Sequence, residues 1–444
     1  MKSGYREKII LYGTGGGYKN ALENGIFEQY DVVAVADSAL KVQGFITNGY
    51  CIIAPEQIID YDYDFIYITS AKYYQEIRRQ LINHHKIDGE KIKLADQYIL
   101  TGKIEEGRTE EDRRQLQYIR NEIIEMRLED FKKRDALIKI AGNLTEKNEI
   151  SLYWNDHTVH DNWFISAEES YEYCIKRFNM YPKFREFAQM DRKHHDDIVL
   201  DYGCGPGNDI VWLMLNCKTK HIIGMDVSRT ALENAQFRLA LHHAKSSDVE
   251  LIQIDEIEDR IPLEDGSIDF VNCQGVLMHT SNPMKILKEF YRVLKKGKDK
   301  PCASIMVYHK DSIWYHLYAA YYLRYVDNRI FADLGRDKMY ELTVDDIFEH
   351  STDGIRCPKA KCWTENEFVR MLSDAGFGRI EYQGGYSNSL EVAIARKYLA
   401  CAIEDSRLED VHKQFLREVS FNEEGCPVHH GKECCIGGVY ICYL

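Results

Sequence analysis

From residue 8 to about residue 97 the chain alternates short apolar runs, KIILY, DVVAVAD, YCII, DFIYITS and KIKLA, with stretches of helical spacing. Apolar runs rich in β-branched residues, separated by helices, predict a parallel sheet with crossover helices. A second alternation begins after residue 150. There DIVLDY, HIIGMD, VELIQI, SIDFVNC and CASIMVYH read as strands, with helices opening near Asn208, Ser228 and Pro283. Two capping boxes, Ser166 with Glu169 and Thr364 with Glu367, predict further helix starts, and GRIEYQG and LEVAIAR bring the expected strands to seven. Between the two alternations, residues 103–140 are charge-rich and lack proline, with Leu116, Ile119, Ile123 and Met126 at three- and four-residue spacing. That pattern predicts a long amphipathic helix, either a spacer or a homodimer contact.

The predicted fold class is therefore α/β: two doubly wound, Rossmann-like domains joined by a long helix. The expected boundaries are 1–100 for the first domain, 101–148 for the linker, 149–397 for the second domain with an insertion at 310–363, and 398–444 for a C-terminal extension. A length of 444 residues suits two or three modules. Charge narrows the partners: 57 basic against 71 acidic residues gives 57 − 71 = −14, which disfavours nucleic acid and anionic membrane surfaces. The start, MKSGYREKII, lacks a signal-peptide pattern and no run approaches 18 apolar residues, so a cytoplasmic protein is expected. Thirteen cysteines, an odd number, read as free or buried thiols rather than a disulfide framework.

The chemistry concentrates at Asp201-Tyr202-Gly203-Cys204-Gly205-Pro206-Gly207-Asn208, which follows an apolar strand and opens a helix. Such a turn lets backbone N–H groups and a helix N-terminus approach a ligand's anionic end. Nineteen residues beyond Gly207 a strand ends in Asp226, placed to accept from ribose hydroxyls, and the third strand ends in Asp255-Glu256, beside an adenine edge. LDYGCGPG, GMDVS, QIDE and SIDFVNCQGVLMHTSNPMKILKEFYRVLKKG together resemble the successive motifs of class I S-adenosylmethionine-dependent methyltransferases, over roughly residues 150–397.

The resemblance implies a seven-stranded methyltransferase sheet with S-adenosyl-L-methionine as cofactor. It places Asp201, Gly203, Gly205 and Gly207 at the methionine end, Asp226 at the ribose, Asp255 and Glu256 at the adenine, and Gln274 and Val276 along the cleft, with Cys204 and Val227 in the same cofactor set. MVYHKDSIWYHLY and TDGIRCPKAKCW are also similar to a subgroup of bacterial methyltransferases of surface-glycan and natural-product pathways.

A sulfonium methyl needs mainly an aligned nucleophile, and a base only for a protonated acceptor. His279, after the fourth strand, and Tyr308 and His309, at the end of the fifth, are the candidate catalytic residues, set against the plainer reading of hydrogen-bonded structural side chains. The ring-rich insertion reads as a lid over the acceptor or as packing.

In the first module Gly13, Gly15 and Gly17 follow a strand, with Lys19 beyond them and Asp37 at the end of the next strand. Tyr18 stands where the third glycine of a dinucleotide fingerprint belongs. This module resembles small Rossmann-type domains of sugar-modifying and nucleotide-sugar proteins, implying a nucleotide or nucleotide sugar, with a ligand-free scaffold as the alternative. Cys357 with Cys362, and the tail group Cys426, His429, His430, Cys434 and Cys435, lack a familiar C-x2-C spacing, so no metal is assigned. The expected function is methyl transfer to a small-molecule acceptor such as a sugar, sugar nucleotide or natural-product intermediate. The alternatives are a non-catalytic scaffold and an NAD-linked sugar oxidoreductase.

Overall fold

A computed structural model describes residues 6–23, 27–70, 74–95, 138–140, 149–159, 164, 166–192, 194–255, 260–297, 300, 302–333, 341–354, 356–358 and 360–444. Glu256 and all of the expected linker helix but its end lie outside these residues, and that end, Ile138–Ile140, is a strand rather than helix because it pairs in parallel with the edge of a sheet at Leu251–Gln253. The chain divides into two compact units, residues 1–115 with 321–343, and residues 116–320 with 344–444.

In the first unit the strands are β1 (Lys8–Tyr12), β2 (Asp31–Ala36), β3 (Ile46–Thr47), β4 (Tyr50–Ile53), β5 (Phe65–Ile68) and β6 (Ile92–Leu94). Among the described residues they form one sheet in the order β3-β4-β2-β1-β5-β6, parallel except for the β3-β4 hairpin. Alternate residues of β1 feed two cores, Ile9 and Leu11 on one face and Ile10 and Tyr12 on the other, as a strand covered on both faces must. A segment from the expected insertion also belongs to this unit. Val326 accepts from Gly49 N (2.9 Å) and Asn328 N donates to Ile46 O (2.9 Å), so this segment extends the β3-β4 edge.

The second unit contains β7 (Ile138–Ile140), β8 (Ile198–Tyr202), β9 (His221–Asp226), β10 (Val249–Gln253), β11 (Phe270–Gln274), β12 (Ala303–Tyr308), β13 (Arg379–Tyr386), β14 (Ser420–Phe421), β15 (Pro427–His429), β16 (Lys432–Glu433) and β17 (Gly437–Tyr443). Its main sheet runs β13-β17-β12-β11-β8-β9-β10-β7, eight strands among the described residues, and β17 is antiparallel to both neighbours. The seven-stranded arrangement is thus present with the three-residue β7 added at one edge. From β8 the chain builds outward to β9 and β10 and then returns to β11, which opens a crevice at the strand ends where the direction reverses.

Two expectations are corrected. LEVAIAR is helical, within Ser389–Glu404, because Asn388 caps the first turn by accepting from Glu391 N (2.9 Å) and because Glu391, Ile394, Ala395 and Ala402 fall on one buried face. The missing strand is β17, seven residues that slot between β12 and β13 with all but the last buried. The boundary drawn at residue 397 therefore moves, since the tail supplies a strand paired on both sides within the sheet.

Glu391 gives this region a pH signature. Burial raises its carboxyl from the ordinary 4.5 to about 8, with Ile436 N donating to it at 2.9 Å. A raised acid favours the fold while protonated, so its contribution is complete below about pH 4.5 and is lost as pH rises through about 8. Glu391→Gln is expected to flatten that decline in melting temperature, a loss on the order of a few kcal/mol in the unsubstituted protein. Equal pH slopes for the two proteins in thermal melts would refute it.

Candidate active site

β8 delivers Asp201 to the crevice, and the glycine loop turns immediately beyond it. Gly203, Gly205 and Gly207 have φ of 76°, 51° and 76°, a left-handed region that glycine enters without penalty. Gly203 meets a second demand, because a Cβ there would stand 2.1 Å from Val276 Cγ2. Gly207 caps the helix Asn208–Asn216. A cavity of about 440 Å³ opens over this loop, within the range of small-ligand sites.

Ten expected residues line the cavity: Asp201, Gly203, Cys204, Gly205, Asp226, Val227, Gln274, Val276, His279 and Tyr308. Gly207 instead packs under the loop, where a Cβ would meet Ala235 at 3.2 Å, and Asp255 is buried next to the lining residue Ile254.

On the loop side, Asp201 Oδ1 accepts from Asn272 Nδ2 (2.9 Å), and Asp209 is ion-paired with Arg177. Burial, reinforced by Asp209, holds the Asp201 carboxyl well above the ordinary carboxylate range. Among the described residues its Oδ2 has no hydrogen-bond partner, and neither have Gln274 Oε1 and Arg177 Nε. Buried polar atoms left in this state cost about 1–3 kcal/mol each, which a complementary ligand recovers. Two bare acceptors ask for a cation with N–H donors, such as an α-ammonium group. Asp226 accepts from Gly205 N and Ser228 N, both at 2.8 Å, and burial raises its pKa too.

A second wall draws on four separate parts of the chain. The Tyr308 hydroxyl donates to Asp353 Oδ2 (2.8 Å), and His279 Nε2 lies 3.4 Å from the same oxygen. Cys357 Sγ stands 3.7 Å from His279 Nδ1, and the Trp154 ring packs edge-on to the imidazole at 4.9 Å. Burial, then the Asp353 charge, pushes the Tyr308 hydroxyl well above its usual pKa, so it stays a neutral donor. The helix Val344–Ser351 positions this wall: Trp314 Nε1 donates to Ser351 Oγ (2.9 Å), and Tyr153 OH donates to the Asp353 carbonyl. Thr352, next to Asp353, also lines the cavity, and its Oγ1 has no hydrogen-bond partner among the described residues.

His309 does not belong to this site. Strand alternation sends Tyr308 to the cavity and His309 to the other face of β12, where its ring stacks on Tyr382 at 4.9 Å. It is 2% exposed, and burial lowers its pKa. The residues that sequence reasoning missed are Asp353, Thr352, Arg177 and Asp209. Asp353 sits in TDGIRCPKAKCW, whose family resemblance was the one available signal.

The first unit's loop is arranged differently. Asp37 Oδ2 accepts from Thr14 N (2.8 Å) and Thr14 Oγ1 (2.7 Å), and Oδ1 accepts from Ala39 N (2.9 Å). Gly13 has φ 96°, Gly17 packs where a Cβ would overlap Thr69 O at 2.0 Å, and Lys19 is exposed. Tyr18 is fully buried, its hydroxyl pushed to about 12 by burial and held by Thr47 Oγ1 at 3.1 Å, so the position of the third glycine serves the core. Arg329 Nη1 donates to Thr14 O (2.8 Å) while pairing with Asp327 (2.7 Å).

Residues 193–314 match the family model described as a methyltransferase domain, and residues 5–93 match one described as C2185-like, N-terminal. Curated relatives include an uncharacterized 37.1 kDa protein in a transposon of Streptomyces fradiae, 38% identical over 100 residues, 22% of this chain and 27% of that protein. Another is a tRNA U34 carboxymethyltransferase of Campylobacter fetus, 28% identical over 178 residues, 40% of this chain and 54% of that protein. A demethylmenaquinone methyltransferase of Listeria welshimeri is 30% identical over 127 residues, 28% of this chain and 52% of that protein. This chain thus spans between 27% and 54% of the length of these relatives. Among solved structures, the YcgJ protein of Bacillus subtilis overlaps 58% of this chain and 96% of its own, at 16% identity and a TM-score of 0.34. No described helix is long and apolar enough to cross a membrane.

Proposed function

We propose that the class I S-adenosylmethionine-dependent methyltransferase domain of this chain moves a methyl group to a protonated oxygen or nitrogen of a small-molecule acceptor. The observation that carries the reading is one cavity whose lining holds two unlike groups: unpaired acceptors on Asp201 and Gln274, and the His279–Asp353–Tyr308 cluster. The donor set fits S-adenosylmethionine. Asp201 Oδ2 and Gln274 Oε1 receive its ammonium, the glycine loop lies along the methionine end, and Asp226 keeps its two backbone donors and has lone pairs left to accept from the ribose hydroxyls. When bound, S-adenosylmethionine supplies an electrophilic methyl on a sulfonium.

The chain's own residues do the rest. Asp353, with His279 against it and Tyr308 donating to it, accepts the proton that the acceptor loses. Cys357 and Trp154 hold the imidazole plane, and the aromatic walls exclude water. Net charge of −14 favours a small acceptor over the tRNA for which one relative is named, since a phosphate backbone would meet like charge. A sugar, sugar nucleotide or natural-product intermediate is the proposed class. Incubation of cell extract with labelled S-adenosylmethionine and the full chain should label a small molecule. Label appearing only in tRNA would overturn the acceptor class, and S-adenosylmethionine binding without any transfer would favour the scaffold alternative.

Cofactor binding is expected to be pH-linked. Asp201 stays protonated to higher pH than an ordinary carboxyl, whereas a bound ammonium favours the ionised form. Affinity should therefore rise with pH as Asp201 ionises, with a proton released on binding below that point. Calorimetry in two buffers of different ionisation enthalpy measures the release, and Asp201→Asn should abolish it. At the N-terminal loop, nucleotide or nucleotide-sugar binding by Gly13, Gly15, Gly17, Lys19 and Asp37 is a separate proposal, tested by equilibrium binding to the full chain with Asp37→Ala as control.

A further inference from the structure

The C-terminal tail carries a second cluster that methyl transfer does not use. β15 and β16 form a hairpin whose two-residue turn is His430-Gly431, with φ of 49° and 80°, the left-handed pair of a type I′ turn. Consecutive strand residues point to opposite faces, but the turn swings His430 back until its ring centroid lies 4.0 Å from that of His429. Glu418, last residue of the helix Asp410–Glu418, meets both rings from the other side: its Oε2 lies 3.2 Å from His429 Nε2 and 3.3 Å from His430 Nε2. The three donor atoms all lie within 4.8 Å of one another. The His429 ring is held against Phe415 at 4.3 Å, and Phe415 is stacked on the buried His316 at 4.1 Å.

We propose that Glu418, His429 and His430 form a binding site for a divalent transition-metal ion of the zinc class. Two imidazoles and one carboxylate are a donor set that suits zinc. Bonds of about 2.0–2.2 Å in a tetrahedral shell set donors about 3.3–3.6 Å apart, so the observed spacing needs little movement. Three protein ligands leave the fourth position to water. The ion would clamp the helix Asp410–Glu418 to the hairpin. The hairpin's Glu433 in turn accepts from Ser387 N (3.3 Å) and Ser387 Oγ (3.0 Å), next to Tyr386 of the cavity wall, so the site braces the C-terminal side of the domain. Of the tail group Cys426, His429, His430, Cys434 and Cys435, only the two histidines take part: Cys434 and Cys435 are buried, and the third donor, Glu418, lies on a different element.

The test uses untagged, chelator-stripped full-length protein titrated with Co(II) and Zn(II). One equivalent is expected to bind, with the visible absorption of tetrahedral Co(II), no thiolate-to-cobalt charge-transfer band and a rise in melting temperature. His430→Asn, which tolerates the left-handed turn, and Glu418→Gln should each abolish the stoichiometric binding while leaving the circular dichroism unchanged. Absence of binding at neutral pH overturns the proposal, with the rings then merely donating to Glu418. So does binding that survives His430→Asn, or binding that carries a thiolate band and disappears in Cys357→Ser, which would place the ion at the His279, Asp353 and Cys357 cluster instead.

Discussion

Asp353→Asn is expected to lower kcat by about 10²–10⁴-fold, the usual contribution of a positioned proton acceptor, while leaving affinity for S-adenosylmethionine unchanged. The amide keeps the shape and can still accept from Tyr308, but it cannot take a proton. The two effects separate because the contacts of Asp353 run to Tyr308, His279 and Tyr153, while Asp201 and Gln274 are the groups proposed to hold the cofactor. Tyr308→Phe removes one donor to the carboxylate and should cost less, about tenfold. The measurement is label transfer under single-turnover conditions with saturating cofactor, beside a cofactor titration of each variant. Full turnover in Asp353→Asn would remove the base from the mechanism and leave orientation alone as the source of rate.

Gly203→Ala should abolish measurable cofactor binding. The left-handed φ costs an alanine about 1–2 kcal/mol, and its Cβ would overlap Val276 Cγ2 at 2.1 Å and Cγ1 at 2.9 Å, so either the loop or the strand end beyond β11 must move. A shift of about 1 Å in a ligand-holding loop typically costs about 100-fold. The overlap makes a sharper prediction through Val276→Ala. That change removes both methyl carbons from the collision, so the double variant should bind better than Gly203→Ala alone, while Val276→Ala by itself should weaken binding slightly. Additive losses in the double-variant cycle would mean that the two residues do not compete for the same space.

The two halves of the site differ in how far sequence could reach them. Asp201, the glycine loop and Asp226 were legible because each requirement is local. A strand end, a turn with positive φ and a helix start lie within eight residues, and the next strand end follows at fixed distance. Gln274 and Val276 were legible for the same reason, as the end of an apolar strand. The acceptor wall depends on where a long insertion returns to the sheet. No periodicity places Asp353 beside His279 and Tyr308, and a lone Asp before glycine reads equally as a turn residue. His309 shows the reverse error, since proximity in sequence to Tyr308 suggested a shared site and the two-residue period of β12 put them on opposite faces.

The same division holds for the fold. Alternating apolar runs determined the class, the existence of both sheets and the strand ends where a ligand binds, because burial on both faces requires continuous β-branched runs whatever the partners. Tertiary structure alone decided membership. LEVAIAR and GVYICYL are both short apolar stretches of the kind that period cannot classify. An asparagine cap and a one-sided buried face made the first a helix, and an open edge between β12 and β13 made the second a strand. Residues 321–343 follow the same rule. Their sequence neighbours belong to the second unit, yet the backbone donors and acceptors of Ile46 and Gly49 are met by Val326 and Asn328, and a segment joins the unit whose hydrogen bonds it satisfies.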